Sequence, residues 1–258
     1  MMSKVSAAAA TAGVALAVSA APAVASHSWG NYHWGRTANP FPLTLTDSVE
    51  SHWDAYLAST STDWDTPLTP IDTSIAEGAT DKRTRKRCPA IGGKVRACNA
   101  AYGNTGWLGV ASIWASGDHI TQATTKVNDT YFDTPTYDRP EWRQMVMCQE
   151  IGHDFGLDHQ DEAFDNPNLG TCMDYTDNPL GPPSNEHPNQ HDYDQLNLIY
   201  GHTDATNTWS ASTTSSGSGK LRRLKDSLFV EDLGGRKKRF VFVIWTDRGR
   251  HHAPPAGA

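Results

Sequence analysis

The sequence predicts an α+β fold, and two patterns carry this prediction. Alternating apolar and polar segments, which are typical of strands, are concentrated before residue 133. A long helical pattern follows them, and a shorter one lies near 191–200. Strands grouped in the first half of the chain and helices in the second half favour α+β organisation.

Residues 1–25 have the layout of a secretory signal peptide. Lys4 precedes an apolar run without acidic residues, and the Ala-Val-Ala at 23–25 provides a small-x-small cleavage site before Ser26. The alternative is an uncleaved N-terminal anchor. No later apolar stretch is long enough to span a bilayer, so we expect a secreted, extracellular protein with no membrane contact after cleavage.

The charge of the mature chain argues against nucleic acid as a partner. Cleavage removes Lys4 and leaves 21 Lys and Arg residues against 29 Asp and Glu residues, a net charge of −8. The basic run at 82–87 is expected to be a solvated loop, with anion binding as the alternative.

Before the long helix, the chain is expected to form strands around one backing helix at 49–60. Much of 60–94 is rich in Thr, Asp, Pro and Gly and is expected to be loop. Strand patterns lie at 41–46, near 71–75, and within 94–103, 106–117 and 118–132.

The strongest helix signal begins near Asp138. Asp138 and Glu141 have capping-box spacing, and Pro140 falls in the first turn. The helix can then continue to Phe155 before Gly156 ends it.

The C-terminal part of the chain differs in composition from the rest. We expect a main domain at 26–206, a Ser/Thr/Gly linker at 207–219, and a β-hairpin with a tail at 220–258. The hairpin is expected to turn near Gly234-Gly235. A lone hairpin is marginally stable in water, so it should dock on another surface.

Four cysteines remain after signal cleavage: Cys88, Cys98, Cys148 and Cys172. An even number in an exported chain indicates two disulfides, although four cysteines allow three pairings. We favour Cys88 with Cys98 and Cys148 with Cys172. The alternative is four buried thiols.

The segment "QEIGHDFGLDH" at 149–159 has the spacing of a metal site. Gln149 and His153 lie on one helix face, four residues apart, with Glu150 beside them. Gly156 permits a left-handed turn that returns His159 as a third ligand. Glu150 stands where a general base could take a proton from metal-bound water.

Gln149 is the unusual member of this set. Its amide oxygen is neutral and reaches about as far as an imidazole nitrogen, but it is a harder and weaker donor that suits calcium, magnesium or manganese better than zinc. The alternative is that Gln149 only makes hydrogen bonds in a site that has lost its metal.

The run resembles the metzincin clan of zinc endopeptidases, whose motif is His-Glu-x-x-His-x-x-Gly-x-x-His, and is most similar to secreted bacterial matrixin-like members. The segment "TCMDY" contains Met173, which matches the Met-turn of the clan, and Tyr175 follows two residues later. The helix end "QLNLIYG" resembles the matrixin Leu-Tyr-Gly. These landmarks cover roughly residues 99–202.

The resemblance implies a zincin-like (metzincin) catalytic domain with a twisted mixed sheet, backing helix, active-site helix, Met-turn and C-terminal helix. It implies one zinc ion per chain on Gln149, His153 and His159, with Glu150 as general base and Tyr175 near the metal or oxyanion. The segment "GVASIW", or a neighbouring strand, is the implied sheet edge for an extended peptide.

The implied function is hydrolysis of extracellular proteins or peptides by a monomer. The alternative is a secreted, catalytically inactive metzincin-like binding protein, favoured by Gln149. A weaker third hypothesis is a metal-dependent hydrolase that acts on a non-peptide bond.

Further residues offer secondary metal sites. A calcium site in the loop after the motif has weak support, because the acidic spacing fits no EF-hand and solvated turn residues explain it as well. Spare histidines could also replace a missing ligand. The calcium candidates are Asp161, Glu162, Asp165 and Asn166, and the spare histidines are His33, His119, His187 and His191.

Overall fold

The computed structural model describes residues 26–212, 217, 219–246 and 255. The expected signal peptide at 1–25 lies outside the described residues. Within the described part of the chain, no helix has the length and apolar character needed to cross a membrane.

The described residues form nine strands and five helices. The strands are β1 His33–Trp34, β2 Phe41–Ser48, β3 Ile71–Glu77, β4 Val95–Ala100, β5 Trp107–Ser116, β6 His119–Asn128, β7 Arg222–Arg223, β8 Leu228–Gly234 and β9 Lys237–Trp245. The helices are α1 Ser51–Trp64, α2 Lys82–Arg87, α3 Asp129–Phe132, α4 Pro140–Asp154 and α5 Gln190–Ile199.

The strands form one mixed sheet in the order β3-β2-β4-β6-β5-β9-β8-β7. Strands β3, β2, β4 and β6 run parallel, and β1 is parallel to the start of β6. The pairs from β6 through β5, β9, β8 and β7 are antiparallel. The predicted α+β organisation with a mixed sheet is therefore confirmed.

Helices α1 and α4 pack together against this sheet. Helix α1 buries Trp53, Leu57 and Trp64, and the Trp64 indole donates a hydrogen bond to the Cys148 carbonyl at 3.3 Å. Helix α4 is buried along its whole length after Pro140. The motif helix is therefore packed against both α1 and the sheet, away from solvent.

The predicted capping box at the start of α4 is wrong. The N-cap is Arg139, and its side chain makes no capping hydrogen bond within the described residues. The Asp138 carboxylate accepts from Arg143 at 2.9 Å, and Glu141 pairs with Arg139. Both acids bind guanidinium groups instead of backbone N–H groups, because Arg139 and Arg143 lie within reach of their carboxylates.

The expected loop at 82–87 is a helix, α2. Asp81 supplies the start signal, since its carboxylate accepts from the backbone N–H groups of Arg83 and Thr84. None of the helical residues is buried, so the run is solvated as expected although it is not a loop.

The structure contains the two disulfides favoured above. Cys88 is bonded to Cys98, and Cys148 is bonded to Cys172, each with a Cα–Cα distance of 5.9 Å. The second bond joins the middle of α4 to the segment that carries Met173. It therefore holds the expected Met-turn against the motif helix.

The C-terminal hairpin extends the main sheet. Strand β9 pairs with β5 over its whole length, from Trp107 opposite Trp245 to Ser116 opposite Lys237. Its inward residues Phe240, Phe242 and Ile244 join the main core. The expectation that "GVASIW" forms a sheet edge is therefore wrong for this conformation, because that segment lies in β5, between β6 and β9.

Candidate metal site

Helix α4 places three polar side chains in little more than one turn. Gln149, Glu150 and His153 are each 0% exposed. Such groups are stable in the interior only when they are paired or bind an ion. Their burial together therefore marks this turn as the candidate site.

Met173 packs directly beneath this turn. A Cβ atom added to Gly152 would lie 2.5 Å from the Met173 sulfur and 2.9 Å from the Trp64 ring. A glycine at 152 is therefore needed for Met173 to approach the helix between Gln149 and His153.

A left-handed turn after α4 returns the chain to the site. Gly156 has φ of 107°, and a Cβ atom there would lie 2.7 Å from the Tyr32 carbonyl oxygen. His159 then faces His153, with their Nε2 atoms 3.0 Å apart and ring planes at 83°. The turn that the motif predicts therefore brings the two histidines together.

The other ring nitrogens of both histidines face acceptors. His153 Nδ1 is 2.8 Å from the Leu157 carbonyl oxygen, and His159 Nδ1 is 3.3 Å from a Glu162 carboxylate oxygen. A proton on each Nδ1 satisfies these contacts and leaves both Nε2 lone pairs directed at one point. Metal-ligating histidines in proteins are oriented in this way.

Burial lowers the pKa of His153 well below its usual value, and the neighbouring His159 lowers it further. The neutral ring is the form that ligates a metal. Two neutral rings with opposed lone pairs 3.0 Å apart repel unless a cation or a proton lies between them.

Glu162 is held in its charged form next to His159. Burial alone would raise its pKa, but the hydrogen bond from His159 and the positive charge of this ring when it is protonated, together with Ser227 and Lys225, lower it to about 2. Ser227 donates to the same carboxylate at 2.6 Å. Glu162 is therefore a positioning group for His159, a role that its sequence pattern does not indicate.

Gln149 has one satisfied and one unsatisfied amide atom. Its Nε2 donates to the Cys172 carbonyl oxygen at 2.7 Å, which assigns the orientation of the amide. Its Oε1 is buried and has no hydrogen-bond partner among the described residues. This oxygen is therefore available to a cation, and the disulfide segment holds it in place.

Glu150 is buried against the backbone of β5. A Cβ atom on Gly109 would lie 2.5 Å from the Glu150 Oε1, so only glycine permits this approach. Burial, followed by the charge of Asp154, raises the pKa of Glu150 well above its usual value. The Ala111 and Ile244 amides lower it in part, but no hydrogen bond of normal geometry reaches either oxygen within the described residues.

Asp154 and Gly109 belong to the site but are not predicted from the motif. The Thr125 hydroxyl donates to Asp154 at 2.8 Å, and burial raises the pKa of Asp154 well above its usual value. Asp154 occupies a variable position of the motif and gives no sequence signal. Gly109 gives one, since a glycine inside a strand often marks a close approach.

The C-terminal hairpin covers the two histidines. The Phe242 ring of β9 stacks on the His153 ring, with centroids 4.2 Å apart and planes at 14°. Lys225 forms an ion pair with Asp158, next to His159. The site is therefore closed to any molecule larger than an ion in this conformation.

Tyr175 lies between the site and the hairpin. Its ring contacts His159 with centroids 4.6 Å apart, and its hydroxyl donates to the Val243 carbonyl oxygen of β9. In this conformation Tyr175 lines the site and also stabilises the position of the hairpin.

The four residues considered for calcium do not converge on one point. Asp161 accepts from the Ala163 amide and from Asn166, while Glu162 faces His159. Asp165 is exposed. Among the described residues, the loop therefore forms a hydrogen-bonded turn.

Comparisons with known proteins give limited similarity. No family model matches the chain, and no curated protein matches it. Two solved structures of myroilysin align with TM-scores of 0.39 and 0.34, at 12% and 11% identity. They cover 68% and 67% of this chain and 98% and 87% of their own. A likeness at this level defines neither a family nor an activity for the chain.

Replacing Glu162 tests the support of His159. Loss of such a partner typically weakens metal binding ten- to a hundredfold, so we expect Glu162→Gln to lower zinc affinity about tenfold or more. Competition with a chromophoric chelator measures this. Asp165→Asn, which removes an exposed carboxylate from the same loop, is the matched control, and equal affinities in the two variants would refute the role of Glu162.

Replacing Gln149 tests the third ligand. An imidazole is a better zinc donor than an amide oxygen, so we expect Gln149→His to raise zinc affinity by about tenfold, or about 1.4 kcal/mol. Gln149→Leu, which removes the oxygen, should lower the affinity in the same chelator assay. Unchanged affinity in both variants would mean that Gln149 is not a ligand.

Proposed function

We propose that the protein is a secreted zinc-dependent endopeptidase of the metzincin type, held in a closed form by its own C-terminal hairpin. The observation that carries this proposal is the pair of Nε2 atoms of His153 and His159, 3.0 Å apart, each in a ring whose Nδ1 faces an acceptor. The unpartnered Gln149 oxygen and the buried Glu150 carboxylate supply the remaining groups that such a site needs.

The donor set fits a zinc ion, although not ideally. His153, His159 and Gln149 would hold it, and a catalytic zinc site commonly has three protein ligands and one open position. Bound zinc acidifies water and polarises a carbonyl group. The amide oxygen of Gln149 is the weakest of the three donors.

Glu150 is proposed to act as the general base. Burial and the charge of Asp154 raise its pKa, which makes the carboxylate a stronger proton acceptor than a solvated glutamate. In peptide hydrolysis it would take a proton from the attacking water and then pass it to the leaving amine. Gly109 contributes by letting the carboxylate lie against β5 without a steric clash.

The position of β9 in the closed form suggests how a substrate would bind. An extended peptide can bind by adding a strand to a sheet edge, and β9 occupies this position beside β5. If β9 moved away, the freed edge of β5 would accept a peptide whose alternate side chains replace Phe240, Phe242 and Ile244. We therefore propose a protein or peptide substrate with large apolar side chains at alternate positions.

The proposed location is extracellular. Two disulfides form more readily in an oxidising compartment, and the expected signal peptide would direct the chain there. A monomer is proposed because all residues of the candidate site come from one chain.

A second candidate function is that of a binding protein without turnover. The weak donor at Gln149 and the complete burial of Glu150 favour it. The two candidates differ in whether the opened, metal-loaded protein cleaves peptides.

Removing the Phe242 ring tests whether the hairpin closes the site. We expect Phe242→Ala to open it, because a buried Phe→Ala change costs about 3–5 kcal/mol of packing and here uncovers His153. Zinc loss to an added chelator should become at least about tenfold faster. Phe229→Ala removes a buried ring from the opposite face of the same hairpin and is the matched control. Equal rates in both variants would contradict direct closure by Phe242.

Replacing the base tests the chemistry. In the Phe242→Ala background, we expect Glu150→Gln to keep zinc and to lower peptide hydrolysis by about 100-fold or more, because it loses the proton acceptor. Elemental mass spectrometry and a fluorogenic peptide library measure the two effects. His153→Ala should lose both zinc and cleavage. Undiminished cleavage by the Glu150 variant would exclude this mechanism, and zinc binding without any cleavage in the Phe242→Ala parent would favour the binding protein.

A further inference from the structure

A second group of ligating side chains lies outside the candidate site and shares no residue with it. It combines His33 of β1, His119 at the start of β6, and His202 and Asp204 after α5. Asp204 Oδ1 lies 3.4 Å from His33 Nε2, 3.2 Å from His119 Nε2 and 3.5 Å from His202 Nε2. The Nε2 atoms of His33 and His202 are 3.3 Å apart.

These distances match the edges of a tetrahedral metal site. Zinc binds histidine nitrogen and carboxylate oxygen at about 2.0–2.1 Å, which places neighbouring ligand atoms about 3.3 Å apart. His33, His202 and Asp204 form a triangle with sides of 3.3, 3.4 and 3.5 Å, which is one face of such a tetrahedron. His119 approaches the same carboxylate oxygen from outside this triangle, at 3.2 Å.

The contacts of His33 direct one ring nitrogen into the cluster. His33 Nδ1 lies 2.6 Å from the Asn31 carbonyl oxygen, which accepts a hydrogen bond when the ring proton is on Nδ1. In that tautomer the Nε2 lone pair faces the Asp204 oxygen, 3.4 Å away. A cation between the two atoms would bind both of them.

The Asp204 carboxylate is held in place from its other side. Arg36 donates to Asp204 Oδ2 from its guanidinium at 2.8 Å and from its backbone N–H at 3.1 Å. Oδ1 is therefore left to face the three histidines. Supporting contacts of this kind orient metal ligands in proteins.

We propose that His33, His202 and Asp204 bind a second divalent metal ion of the zinc class. The ligands come from the N-terminal segment and from the chain after α5. Such an ion would cross-link these two distant parts of the chain and stabilise the fold.

The test uses the whole mature protein with the first site removed. We expect the His153→Ala/His159→Ala variant to bind one equivalent of added zinc, against two for the unaltered protein, by elemental mass spectrometry after gel filtration. Cobalt should give the intense visible absorption of tetrahedral coordination. Zinc should also raise the melting temperature of this variant.

Adding His202→Ala to the His153→Ala/His159→Ala variant should abolish the bound zinc equivalent, the cobalt spectrum and the shift in melting temperature. The His202 side chain is 52% exposed, so the change leaves the core intact. His187→Ala is the matched control, since His187 is 53% exposed and also faces a carboxylate, that of Asp63.

Two results would overturn the inference. One is no bound metal in the His153→Ala/His159→Ala variant, and the other is the same stoichiometry after His202→Ala as after His187→Ala. Because the variants that decide these two results all lack the first site, failure of the proposed peptidase leaves them unaffected.

Discussion

Complete burial of α4 is the constraint on which the rest of the structure depends. Every residue from Glu141 to Asp154 is buried, although many of these side chains are polar. A buried polar group without a partner costs about 1–3 kcal/mol, so partners must come from the surrounding elements. Arg143 finds one in the Phe132 carbonyl at 2.8 Å. Among the described residues, the Gln149 oxygen has no hydrogen-bond partner and the Glu150 carboxylate has none of normal geometry. Both lie in the same turn, at the proposed ion site, while one nitrogen of Arg143 and one oxygen of Asp154 also lack a partner within the described part of the chain.

The C-terminal hairpin both buries the candidate site and stabilises the sheet. Phe242 belongs to the main core and also stacks on His153, whereas Val241 and Val243 cover Trp107 on the other face. Removing β9 would expose apolar surface on both faces of the sheet, which opposes spontaneous opening. If the proposed peptide bound beside β5, similar side chains would restore that burial. Closure and the proposed substrate binding would therefore use the same contacts.

The two ligand clusters differ in how far their members lie apart in the chain. His153 and His159 are six residues apart, and one helix end with one glycine turn is enough to bring them together. In the second cluster only His202 and Asp204 are close in sequence, whereas His33 and His119 arrive through the pairing of β1 with β6. Sequence spacing therefore indicates the first cluster and gives no sign of the second.

The sequence by itself determined the local features: the strands before residue 133, the motif helix, the turn at Gly156, and the meeting of His153 with His159. Each depends on side-chain periodicity or on a backbone conformation set within a few residues. Only the tertiary structure decided the pairing of β9 with β5, the approach of Glu150 to Gly109, and the arginine pairs that replace a capping box at α4. The first two join segments that are far apart in the sequence. The arginine pairs depend on whether a guanidinium group or a backbone N–H group binds each carboxylate. No local sequence pattern predicts these long-range contacts or these arginine pairs.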